Sequence, residues 1–412
     1  MRKMKDSGIE WIGQIPEEWD LSKIGAIYEE RNIKVSDRDY LPLSVTKLGI
    51  VQQLETAAKT DNGDNRKLIK RNDFVINSRS DRRGSCGISE YDGSCSLINT
   101  VLKPRHNMHN RYYNYVFRSE LFADEFYRWG NGIVDDLWST KWSNMKRIYI
   151  PFPSIEIQKH IADFLDDKCG KIDRYIEKQQ QIIDKLKEYK QAVITEAVTK
   201  GLDPDVPMKD SGIEWIGEIP EHWEIYKFGY LATVKSNLVH PQDYKNYLQV
   251  SSENIEKGSG KLLDCKTVDE VGVISDNHLF FKGQILYSKI RPALNKVTIA
   301  PFDGLCSADI YPIETKENLK YLVYTILSEG FLEQVRTITE TRVKMPKINQ
   351  NELSGILVAK APNDEQIEIA KYLDSICDII DANIGKKQNV IDKLIEYKKS
   401  LIYETVTGKL EV

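Results

Sequence analysis

The 412-residue chain contains no long apolar run. Its longest uncharged stretch, residues 93–102, is ten residues, against the ~18 or more that a bilayer-spanning helix needs, so no membrane contact is expected. The opening MRKMKDSGIEW follows its basic residues with no apolar stretch, which argues against a secretory leader. Six cysteines (Cys86, Cys95, Cys169, Cys265, Cys306, Cys377) form no CxxC pair and share no zinc spacing with histidine, so they read as buried apolar residues of a reducing compartment, with no metal expected. There is no GxxxxGK phosphate loop, no GxGxxG turn, no Asn/Asp-Pro-Pro-aromatic tetrapeptide to grip a flipped adenine and no HxE…PCxxC pattern. Nucleotide hydrolysis, dinucleotide chemistry and base modification by this chain alone are therefore not expected. The six histidines are scattered, and no pair of carboxylates stands out for acid–base work, so no catalytic residue is assigned. Charge of one sign is also lacking: 58 basic against 62 acidic residues give a net charge of −4, and any attraction to nucleic acid has to be local.

What the chain does contain is a duplication. Residues 4–19, MKDSGIEWIGQIPEEW, return at 208–223 as MKDSGIEWIGEIPEHW, with fourteen of sixteen positions identical. Residues 158–202 return at 366–410 with 23 identities in 45. Between them lies a weaker echo at an offset of 211, where RNDFVINS parallels KGQILYSK and YDGSCS parallels FDGLCS. Each half thus has a Trp-containing opening, a divergent middle and a polar, periodic tail. The repetition of Trp11 and Trp19 as Trp215 and Trp223 argues for a structural role, because a large aromatic that anchors chain entry to a lobe would be kept in both copies.

The tails have helical periodicity. Leu165, Cys169, Ile172, Ile176, Ile183, Leu186 and Val193 in the first, and Leu373, Cys377, Ile380, Ile384, Ile391, Leu394 and Leu401 in the second, recur at spacings of three and four or their sums. That is a coiled-coil seam, interrupted by Gln179, Lys190, Lys387 and Lys398. Each tail would form a rod of roughly 65 Å, and the two are expected to pair antiparallel, because a duplicated unit closes most simply around a two-fold axis. Ile182, Tyr189, Val390 and Tyr397 widen the apolar stripe and suggest a second partner on the outer face. The middles carry short β-branched runs at 73–76, 97–102, 284–287 and 296–300, with helical stretches around 111–129 and 318–337, which predicts mixed α/β (α+β) lobes. The expected division is 1–154, 155–203, 204–361 and 362–412, lobe and helix alternating.

Positive charge gathers in the lobes. Residues 66–83 hold seven basic residues against two acids, and 93–119 and 277–302 hold no acid at all. Candidate DNA contacts are Arg79, Arg82 and Arg83 in NSRSDRRG, Lys289 and Arg291 in YSKIRP, Lys296 nearby, Arg342 and Lys344 in TRVK, and Lys47 in SVTKLGI. Arginine can fork onto guanine or clamp phosphate, and lysine neutralises phosphate. On residues alone two readings stand, double-stranded DNA binding and a two-lobed coiled-coil adaptor for proteins. Only the first predicts affinity that falls steeply with salt.

The arrangement resembles the specificity subunit of type I restriction–modification enzymes. The motifs that carry the resemblance are GIEWIGxIPExW before each lobe, KGQILYSKIRP at 282–292, Glu365-Gln366 ahead of the last tail and IDKLxEYK at 183–190 and 391–398. The first lobe departs from them at Ile157-Gln158 and at NSRSDRRG. The resemblance implies two pseudo-symmetric target recognition domains, each reading half of a bipartite DNA sequence, joined by the two helices as a spacer. It also implies two methyltransferase subunits docked on the helices and two ATP-driven restriction subunits. S-adenosylmethionine, ATP and Mg would be held by those partners and no cofactor by this chain, in a prokaryotic cytoplasm.

Overall fold

The computed structural model describes residues 2–53, 63–79, 83–105, 108–132, 138–342 and 344–412. The chain divides into two compact units, Met1–Gln179 with Asn389–Val412, and Gln180–Gln388. The division falls within two long helices, Ile155–Lys200 and Asn363–Val406, so each unit consists of one lobe and half of each helix.

In the first unit, a four-stranded antiparallel sheet has the order Cys86–Ile88, Phe74–Asn77, Asn99–Pro104, Tyr28–Glu30. Phe74–Asn77 is buried at all four positions, as a short continuous apolar run requires. Helices Asn110–Arg118 and Glu120–Arg128 cover the sheet. Phe117 stands 4.8 Å from both Phe74 and Phe122, centroid to centroid, and so links strand and helices through one aromatic core. A smaller sheet (Gly93–Cys95, Arg66–Ile69, Lys34–Val35) and the hairpin Leu43–Thr46/Gly49–Gln52 complete the lobe.

The second unit repeats the central sheet as Ala232–Val234, Ile310–Thr315, Ile285–Ser288, Val297–Ile299, with the register carried over. Its second sheet is larger, with five strands and one parallel pair, Leu248–Val250 with Gly304–Cys306. Each helical stretch expected at 111–129 and 318–337 is broken into two helices at a serine. Ser119 and Ser328 are extended there, and each hydroxyl donates to a carbonyl three residues back (Val116, Thr325) and accepts from the amide three residues on (Phe122, Phe331). One hydroxyl thus ends a helix and caps the next. Five of the six cysteines are buried and Cys265 is half-buried; burial pushes the Cys86 thiol up to about 12 and Cys169 to about 11, which leaves them uncharged.

Repeated contacts hold each lobe to the helices. Gln158 and Gln366, one per unit, are fully buried in the first turn of a long helix. Gln158 donates to the Pro153 carbonyl and accepts from the His109 amide, at 2.8 Å each. Gln366 donates to the Ala361 carbonyl (2.9 Å) and Glu317 (2.7 Å), and accepts from the Asn318 amide (3.0 Å). Each therefore ties the strand leaving the lobe to the start of the lobe's first helix. Asp166 takes Tyr115 and Arg111, and Asp374 takes Tyr324 and Lys320 in the same way.

Trp19 and Trp223 are buried over the far ends of the helices. Gly408 and Gly201 end those helices at φ of +71° and +78°, where a side chain is strained. A Cβ at Gly408 would meet Pro16 at 2.6 Å and Trp19 at 2.9 Å; at Gly201 it would meet Trp223 at 3.4 Å. Trp11 is also buried, whereas Trp215 is 40% exposed.

Within each unit the helix halves run antiparallel, as the duplication predicts. Leu165, Cys169 and Ile172 share a core with Leu401 and Val406 in the first. Two of the four polar interruptions turn out to be paired: Lys398 bonds Asp173 at 2.6 Å in the first unit, and Lys190 bonds Asp381 at 2.8 Å in the second. Asp381 also takes Lys261 from the lobe, at 2.6 Å. Burial alone would raise the Asp381 carboxyl, but the two ammonium groups overcome it and hold it below the usual range.

Candidate nucleic-acid interface

In the first unit the strand Phe74–Asn77 runs out of the sheet into Ser78 and Arg79. The Asn77 side chain accepts from the Arg79 amide at 3.0 Å, and the Ser78 amide and hydroxyl both donate to the Ile98 carbonyl. Arg79 then bridges Ser139, and the Thr140 amide donates to the Ser78 carbonyl at 2.9 Å. This crossing brings Lys141, Trp142 and Lys146, from the short helix Trp142–Met145 and its flanks, beside Arg79. With Lys67 and Glu30 they line a cleft of about 590 Å³. Arg79, Lys141 and Lys146 are exposed, while Lys67 is half-buried, 3.4 Å from Glu30 and bonded to the Asn99 carbonyl at 2.8 Å. Four cations against one carboxylate, with an indole between them, make a surface suited to phosphate and stacked or edge-on bases.

The other first-lobe candidates lie apart from that lining. Arg83 pairs with Asp124 and stacks over the Tyr127 ring at 5.2 Å. Lys47 is exposed on the turn of the hairpin Leu43–Thr46/Gly49–Gln52, and its carbonyl accepts from Arg118 at 2.8 Å. Arg82 lies outside the described residues.

In the second unit Ile285–Ser288 leaves its sheet into Lys289, Ile290 and Arg291, and Ile290 bridges Lys347. Lys289 lies over the Tyr311 ring at 5.2 Å and 3.9 Å from Asp309; Lys347 bonds Asp309 at 3.0 Å. Burial, then the positive charge of Lys289, lowers the pKa of the neighbouring His278 and so favours its neutral form. Arg291 is exposed at φ +43°, with its amide donating to the Pro346 carbonyl at 2.8 Å and its side chain unpaired among the described residues. Lys344 is exposed.

Two candidates make contacts within the lobe. Lys296 donates to the Ser252 carbonyl at 2.5 Å. Arg342 forks onto Glu352 and donates to the Lys347 carbonyl, which holds Glu352 below the usual carboxylate range. Its guanidinium therefore closes the loop ahead of the helix Gln350–Gly355. Sequence reading placed Lys67 and Lys347 in the basic runs 66–83 and 336–347 without singling them out, and passed over Lys141, Trp142 and Lys146 altogether.

On the helices, Ile182 and Tyr189 are 38% and 54% exposed in the second unit, Val390 and Tyr397 43% and 57% in the first. Tyr175 and Ile379 are exposed as well. Pairing of the helices does not use up this apolar surface.

The family model described as the type I restriction modification DNA specificity domain matches residues 16–188. The chain is 30% identical over 352 residues to the type I restriction enzyme EcoDI specificity subunit of Escherichia coli, covering 79% of this chain and 76% of that protein. It is 21% identical to the EcoKI specificity subunit of Escherichia coli K12, over 97% and 90% of the two chains. Among solved structures, a chain from a type I R-M system complex superposes with a TM-score of 0.72 at 12% identity, covering 96% of this chain and 99% of that one. The HsdS subunit from Thermoanaerobacter tengcongensis gives 0.50 at 12% identity, over 96% and 98%. At that identity these two speak for the fold.

Proposed function

The chain belongs to the specificity subunits of type I restriction enzymes, and from that premise we propose that each lobe reads one half of an asymmetric, bipartite double-stranded DNA target. The observation that carries this is the contrast inside the duplication. The contacts that fasten each lobe to the helices are kept, at Gln158/Gln366, Asp166/Asp374 and Trp19/Trp223, while the lobes they fasten have diverged. A scaffold that meets the same partner twice stays the same, and readers of different sequences do not.

The exposed helix residues Ile182, Tyr189, Val390 and Tyr397 dock two methyltransferase subunits, and the helices set the unread spacer. Two ATP-driven restriction subunits complete the complex. The partners hold S-adenosylmethionine, ATP and Mg and carry the adenine methylation and cleavage, and this chain supplies the address in a prokaryotic cytoplasm. One extra helical turn in each long helix, ~5.4 Å, should lengthen the spacer by about one or two base pairs, at 3.4 Å per step.

The test is binding of the complex assembled with its methyltransferase subunits to duplex DNA across a salt series. With several lysines and arginines on phosphate, affinity should fall by orders of magnitude between ~50 and ~200 mM salt. A flat salt response, or no duplex bound at all, would overturn the reading.

A further inference from the structure

We infer that base reading is concentrated at one corner of each lobe, where the strand leaving the central sheet crosses the loop ahead of the short helix. This inference rests on the DNA-reading function proposed above. The two corners are the same piece of fold. The bridge Arg79–Ser139 in the first unit corresponds to Ile290–Lys347 in the second. The central strands keep one register, with Asn99 opposite Asn77 where Ile310 stands opposite Ser288. The C-terminal end of the short helix is pinned alike: a Cβ on Gly25 would meet Lys146 at 3.0 Å, and one on Gly229 would meet Ser354 at 2.7 Å.

The backbone platform is thus repeated, but the side chains it presents are not. Arg79, Lys141 and Trp142 of the first corner become Ile290, Asn349 and Gln350 in the second. Lys67 becomes His278, paired opposite Cys306 as Lys67 is opposite Cys95. The charged groups of the first corner are donors, apart from Glu30: guanidinium and ammonium groups that fit guanine O6 and N7. The second combines Lys289 and Lys347 with the acceptor Asp309 and the exposed amide of Gln350, a set able to meet adenine or cytosine edges as well. Asn349 is taken up in capping the helix, accepting from the Glu352 amide at 2.9 Å, and is left out of the reading set. A fixed platform carrying different donor and acceptor sets is what two readers of different half-sites require.

The probe is a duplex pool randomised in both half-sites and selected by the assembled complex. Wild type defines the two half-sites; Arg79→Ala and Trp142→Ala alter the first corner, Lys347→Ala and Gln350→Ala the second. First-corner variants should relax preference at one or two positions of one half-site by about tenfold, leaving the other half-site unchanged. Second-corner variants should do the reverse. Uniform weakening at every sequence would make the corners phosphate clamps and overturn the inference, as would unchanged preferences. Each variant is checked for retention of methyltransferase in the purified complex; Arg79→Lys and Gln350→Glu, which keep the side chain's bulk, replace any variant that fails it. Failure of the wild-type complex to select any sequence would instead sink the DNA-reading function itself.

Discussion

The openings of the two halves are nearly identical in sequence, yet they fasten to their helices differently. In the second unit the Trp223 indole donates to Glu365 at 3.0 Å, and the other oxygen of that carboxylate meets His222 at 2.7 Å. In the first, the places of His222 and Glu365 are taken by Glu18 and Ile157, Glu18 pairs with Arg2, and the Trp19 indole has no hydrogen-bond partner among the described residues. The two substitutions belong together. A glutamate at 18 facing a glutamate at 157 would set like charges against each other, and an isoleucine there removes the conflict. Packing of the tryptophan, the element common to both halves, therefore carries the joint, and the polar contact is an addition made in one half only.

Four experiments break or sharpen that comparison. The largest effect is expected at the contact both halves share. Gln366→Leu or Gln158→Leu strands a buried amide and a carbonyl, and each should destabilise its own unit by about 2–4 kcal/mol, read by hydrogen exchange of the affected unit. Next come the helix ends, which share a conformation but differ in room. Gly408→Ala adds overlap with Pro16 and Trp19 to the strain of a left-handed backbone and should cost about 2–3 kcal/mol. Gly201→Ala meets the strain alone and should cost about 1 kcal/mol, so the two melting shifts should differ in that order.

Third, Asp381 couples two lysines in the second unit where Asp173 couples one in the first. Because its folded pKa lies below the unfolded value, its contribution is full above about pH 4 and is lost as pH falls through the folded value. Asp381→Asn should cost the second unit about 1–2 kcal/mol at neutral pH and flatten its acid loosening, measured by melting between pH 3 and 7. Smallest is the transplant of the first half's pair into the second. Glu365→Ile should cost about 1 kcal/mol, and adding His222→Glu should cost nothing further, whereas His222→Glu alone should be the worse single change. Additive losses in that cycle would mean the two sites are not coupled.

The duplication, the long helices and their antiparallel pairing were legible in the sequence because they rest on identity and on local periodicity. The runs at 73–76 and 284–287 located the central strands for the same reason, since a short β-branched run is a local signal. Strand order was not legible: nothing local places Tyr28–Glu30 beside Asn99–Pro104. The interruptions at Lys190 and Lys398 could be seen, but their carboxylates lie 191 and 225 residues away in sequence. Basic runs found Arg79 and Lys289, yet Lys141 and Lys146 join Arg79 only through a bridge to Ser139, and no run marks them. The Arg342 clasp was hidden for a similar reason, because its partner Glu352 is ten residues on and out of any local window.

The central claim is that one scaffold, written twice, presents two different readers. Single-molecule sequencing of N6-methyladenine in the source cell, with and without the gene, tests it most directly. The account predicts loss of methylation from one motif made of two unlike half-sites with a fixed unread spacer. Methylation that is unchanged, or lost from an uninterrupted or palindromic motif, would contradict it.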